Sequence, residues 1–182
     1  MEQKHRILRI TRTAILIALL IVLQAATTPL GTPLLTGSIV NLLLIISVMT
    51  CGLSSGLCVA AVSPILAKLF GIGPLWSLIP FIAVGNIVLV VLWHLIGSRS
   101  MGGKTYIPYL AALVAAAVAK FLVLYVGIVR IAIPLFLDLP KKQAAVISNM
   151  FSVPQLATAL MGGVLALALI PRLKQALAGG RE

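Results

Sequence analysis

Acidic side chains are almost missing from this 182-residue chain: Glu2, Asp138 and Glu182 are all it has, against fourteen lysines and arginines. No carboxylate lies inside any of its apolar runs, so paired carboxylates for acid–base work or metal-bound diphosphate chemistry are excluded. Histidine is equally scarce, and two residues cannot build a histidine-rich metal site. No serine or cysteine has a histidine base in a recognisable motif, and no Walker motif is present, so the chain does not hydrolyse ATP by itself. The two cysteines, Cys51 and Cys58, are seven apart on one helical run. Their Cα atoms are then about 10 Å apart, too far for a disulfide. An enzyme reading has no support, and no cofactor is called for.

What the chain has is oil. Hydrophobic residues make up 61% of it and charged residues 9%, with a mean hydropathy of +1.18. A soluble domain carries about 25% charged residues, so this is an all-α integral membrane protein. The net charge of +11 does not point to nucleic acid, because the basic residues gather at the termini and in short links. There they follow the positive-inside rule and face anionic lipid headgroups of the bilayer. The start, "MEQKHRILRITRTAILIALLIVLQAATTPLG", has the charged and apolar regions of a signal peptide. Leu23, however, would occupy the small-residue position of a cut after Ala25, and the segment reads as a retained first helix.

Six segments suit a spanning helix of roughly 20 residues: 10–28, 36–50, 52–70, 76–97, 106–130 and 144–171. "TPLGTP", "CG", "GIGP", "GSRSMGGK" and "IPLFLDLPKK" separate them with the glycines and prolines of loops. The second span is short and reads as tilted or incomplete. The whole of 1–182 forms one membrane domain. With the N-terminus inside, Lys4, Arg6, Arg9, Arg12, Arg99, Lys104, Arg172, Lys174 and Arg181 are cytoplasmic, against Arg130, Lys141 and Lys142 outside. That asymmetry predicts N-in and C-in.

Lys120 interrupts "AALVAAAVAKFLVLYVG". A lysine near the centre of a spanning helix costs about 3 kcal/mol on insertion scales. Counting up from residue 106 puts it roughly 21 Å along its helix, in the outer half of the bilayer. Asn41, Lys68, Asn86, Asn149, Ser152, Gln155 and Gln24 fall in the middle or outer half of their spans, whereas the inner halves hold little beyond His94, Ser47 and Thr50. Helix glue could occur at any depth; a cup open to the outside gathers polar groups on one side. Lys120 shares a stripe with Ala112, Ala116 and Gly127, and Ser148, Ser152, Gln155, Ala159 and Gly162 form another, which Pro154 kinks. Lys68 could equally snorkel, and the asparagines could be glue. Trp76, Trp93 and His94 read as interfacial. No acid is available to pair with Lys120, so it is either neutral or waiting for an external anion, and an anion arriving from outside is its expected partner.

These features resemble the substrate-binding S component of energy-coupling factor (ECF) transporters, the vitamin-uptake branch of the ABC transporters. The motif carrying the resemblance is A-x-x-x-A in "AILIA", Ala14 and Ala18, where small residues let another helix approach. A second small stripe, Gly52, Gly56, Ala60, Ser63 and Ala67, follows on the third span. The resemblance implies a six-helix bundle in the bacterial cytoplasmic membrane with both termini in the cytoplasm. It implies docking through Ala14, Ala18, Gly52 and Gly56 on an energy-coupling transmembrane subunit that carries two cytoplasmic ATPases. Helices 4 to 6 would shape the pocket under two gating loops, "TPLGTPLLTG" and "LFGIGPLW". Asn86, Lys120, Asn149 and Gln155 would line it, with Lys68 at the rim.

The expected ligand is a small anionic vitamin or precursor of about pantothenate size. Few aromatics line the expected pocket, which disfavours large planar ligands, and cobalt or nickel lacks ligands. Two other readings stay open: a structural or assembly membrane protein whose stripes bind only helices, and a secondary transporter acting alone. The second lacks the intramembrane carboxylate that proton coupling usually uses.

Overall fold

The computed structural model describes residues 2–99 and 106–179. Lys104 and Arg181 of the inner charge count, and Glu182, lie outside the described residues. The chain runs α1 (Glu2–Thr27), α2 (Pro33–Cys51), α3 (Leu53–Leu69), α4 (Ile79–Gly97), α5 (Tyr106–Leu124), α6 (Ile133–Phe136), α7 (Lys141–Met150) and α8 (Val153–Gly179), with no strand among the described residues. Short 3-10 turns, Thr28–Leu30 and Trp76–Leu78, precede α2 and α4. Prolines open several of these elements, where a missing N–H costs nothing.

Five helical runs are long and apolar enough to cross a membrane: Arg6–Leu30, Pro33–Cys51, Trp76–Gly97, Tyr106–Phe136 and Lys141–Ala176. Large apolar side chains cover the exterior, Ile10, Ile15, Val22, Val114 and Leu122 among them. Such a surface suits lipid, not water. The short helix is α3, with 17 residues, and not the second span as its sequence indicated. Gly52 at φ +89° turns the chain from α2 into α3 in a single residue, so α2 keeps its full length.

The sixth predicted span is broken. Pro154 has no N–H for the carbonyl of Met150, and that carbonyl instead accepts the Gln155 side-chain amide at 3.2 Å. The helix therefore ends at Met150 and restarts at Val153, which is a break where a kink was expected. The stripe read from Ser148 to Gly162 is divided between α7 and α8. The fifth span runs on past residue 130 as a π-helical stretch, Tyr125–Ala132, that leads into α6. Pro134 cannot donate to the carbonyl of Arg130, which favours the wider winding before it.

Packing divides the interior in two. The main core joins Leu44, Ile45, Leu89, Val90, Trp93, Ala112, Ala116, Ala166 and Ile170. A satellite cluster of Leu78, Leu124, Ile128, Ala132, Ile147 and Phe151 ties α7 to the end of α5 and the start of α4. Trp93 is no interfacial anchor: it is 1% exposed, with its ring 6.4 Å from that of Tyr109. Trp76 is the exposed one.

Most of the small stripe on α3 lies inside the bundle. A Cβ on Gly56 would lie 2.7 Å from Val48 and 2.8 Å from Val90, and Ala60, Ser63 and Ala67 are buried with it. Gly56 thus seats α3 on α2 and α4, and Gly52 serves the turn. Ala14 and Ala18 do face outward on α1. A buried bond from Thr13 to Ser55, 2.8 Å, fixes the other side of α1 to α3.

Candidate functional site

The site starts from a close approach of α2 and α8. A Cβ at position 162 would lie 2.5 Å from the carbonyl oxygen of Ser38 and 2.7 Å from the Cβ of Asn41. Only glycine fits there, and its absence of side chain lets the two helices touch along the turn that carries Asn41. One turn before Gly162, Thr158 then meets Asn41: the asparagine Nδ2 donates to its Oγ1 at 3.3 Å, and that hydroxyl donates to the carbonyl of Gln155 at 3.1 Å.

Lys120 comes from α5 into this network. Its Nζ donates to Asn41 Oδ1 at 2.5 Å and to Asn86 Oδ1 at 2.7 Å. Asn41 is eight residues into α2 and Asn86 seven into α4, about 10–12 Å from the helix starts. The three side chains therefore meet at one level. All are essentially buried, at 3% or less exposure, as is Thr158. The expectation that Lys120 has no partner inside the protein is corrected here. Its partners are neutral carbonyls, which satisfy N–H groups without cancelling charge. An ammonium has three N–H groups, and two are used.

Above this floor lies a cavity of about 800 Å³. All six residues expected at the site line it: Asn41, Lys68, Asn86, Lys120, Asn149 and Gln155. Three form the buried knot described above. Lys68 is half-buried near the end of α3, Gln155 is half-buried at the start of α8, and Asn149 lies exposed on α7. No described residue lining the cavity is acidic, and Phe151 is its one aromatic. Residues of both expected gating segments reach it, Thr28, Gly31 and Thr32 from the first and Ile72, Gly73 and Pro74 from the second.

Beyond the gating segments, sequence reasoning missed four polar residues of the wall: Thr158, Ser63, Gln143 and, as a site residue, Gln24. Thr158 carried a signal, since it follows Gln155 by three and so shares its helix face. Ser63 was read as part of a packing stripe. The wall also draws on α2 and α3, whereas the family resemblance gave the pocket to the later helices.

An all-helical bundle with a lipid-suited exterior and its polar groups gathered round one cavity has the build of a membrane binding protein for small molecules. The chain belongs to the family of ECF transporter substrate-specific components, whose sequence model matches residues 8–176. No curated protein and no solved structure matches it.

Proposed function

We propose that this protein captures a small anionic vitamin or precursor from outside a bacterial cytoplasmic membrane. In this reading it spans the membrane six times, α3 included, with both termini in the cytoplasm and the cavity facing outward. The observation that carries it is the Lys120 knot: a buried ammonium held by two neutral carbonyls, with one N–H left, in a cavity without an acid. A carboxylate or phosphate would supply the missing charge. Asn41 and Asn86 hold the ammonium in place, and Lys68 at the rim attracts the incoming anion.

Having no ATPase motif, the subunit relies on a coupling partner. Ala14 and Ala18, outward on α1 and one turn apart, suit close approach by a transmembrane helix of an energy-coupling subunit. Two cytoplasmic ATPases attached to that subunit would drive release inward. The test of the site is titration of small carboxylic acids into the protein in lipid nanodiscs. Saturable binding to the wild type that weakens at least about tenfold in Lys120→Met supports the reading. Equal affinity in the variant removes Lys120 from the site, and no saturable ligand at all favours a structural role.

A further inference from the structure

The anion site leaves one side of the cavity unexplained. α1 packs on α2 and α3, whereas α5 packs on α4 and α8, so Gln24 of α1 and Ser63 of α3 line the cavity on the side away from Lys120. Ser63 Oγ and Gln24 Oε1 are both buried, and neither finds a hydrogen-bond partner among the described residues. Ser63 is 2% exposed. Hydroxyls in apolar helices normally bond a carbonyl one turn back. Ser38, Ser47 and Thr50 of α2 all do so, at 2.6–2.7 Å. Ser63 makes no such bond.

Two idle polar atoms on one wall of a cavity whose opposite wall holds a cation define a two-ended site. Gln24 Oε1 can only accept, so it needs an N–H or O–H from the ligand. Ser63 can give its proton to a ligand oxygen or take one. Apolar side chains make up much of the rest of the wall, Val40, Pro64, Ile82 and Leu124 among them. We propose that Ser63 and Gln24 form a second polar contact, and that the substrate is an aliphatic acid carrying amide or hydroxyl groups away from its acidic end. A hydroxylated N-acyl amino acid belongs to this class; a plain fatty acid does not. The inference rests on the anion-binding reading above.

The test uses two acids of equal chain length: N-(2-hydroxybutanoyl)-β-alanine and octanoate. Both have one carboxylate, and only the first has N–H and O–H groups. Each is titrated into the wild type, Ser63→Ala, the double variant Ser63→Ala/Gln24→Leu, and Lys120→Met, all in nanodiscs. In the wild type the hydroxy amide should bind at least about tenfold tighter, because a site built for a polar group rejects an analogue lacking it. Ser63→Ala should lower that ratio, and the double variant should bring it to within about threefold while octanoate affinity stays unchanged. Lys120→Met should weaken both acids together. Equal affinities in the wild type, or a ratio that survives the double substitution while Lys120→Met still loses both acids, overturn the second contact alone. Insensitivity to Lys120→Met, or no binding of either acid to the wild type, overturns the anion site and the second contact with it. Ser63→Ala removes one atom from a helix that stays otherwise intact, so it keeps the test open if the double variant folds poorly.

Discussion

The half of the bundle that holds the termini and the half that holds the cavity solve opposite problems. Towards the termini, Trp93, Tyr109, Ala112, Ala166 and Ile170 are packed until almost nothing is exposed, and glycines set how near the helices come. In the cavity half, the same helices carry Asn41, Asn86 and Lys120 to one level and leave about 800 Å³ above them. Only a small satellite core holds α7 in place there. In lipid the packed half gains little from hydrophobic transfer, so contact density must supply its stability. The open half gives up that contact density in exchange for a place to bind. The bundle is rigid at one end so that it can be hollow at the other.

Three substitutions break or sharpen this contrast. The largest effect belongs to the packed half: Trp93→Ala should cost about 3 kcal/mol or more, since the hole lies among close-packed helices that cannot collapse. Unfolding in nanodiscs or mixed micelles measures it, and a loss below about 1 kcal/mol would mean that this half is looser than its burial implies. Asn86→Leu comes next. It strips Lys120 of one carbonyl and leaves a buried N–H unmet, at a cost of about 1–3 kcal/mol. An anionic ligand should restore part of that stability in a thermal melt, and restore more of it than in the wild type. The smallest is Thr13→Ala, which removes the α1–α3 hydroxyl pair for about 1 kcal/mol and should leave acid binding unchanged.

Much of this could be read in the chain. The apolar runs, their punctuation and the gathering of polar residues at one depth follow from elementary membrane physics, and they located the cavity and six of its residues. What depth does not give is direction around a helix. Trp93, close to a helix end, looked interfacial, yet it points inward between Gly97 and Gly163. The stripe from Gly52 to Ala67 announced a close approach but not by what, and at Gly56 the partners are this protein's own α2 and α4. The partners of Lys120 were hidden for another reason. Composition reveals only the lack of opposite charge, while the fold supplies two neutral oxygens from helices far apart in sequence. Pro154 was visible as a disturbance; whether it bends or breaks the helix depends on Gln155 reaching back to Met150.

The joint at Gly52 has a mechanical consequence. A one-residue link cannot absorb sliding or rotation between the helices it connects, so α2 and α3 form a single lever. Asn41 is mounted on one arm, and Ser63 and Lys68 on the other. Any force applied to the outer face of this lever arrives at both ends of the cavity at once.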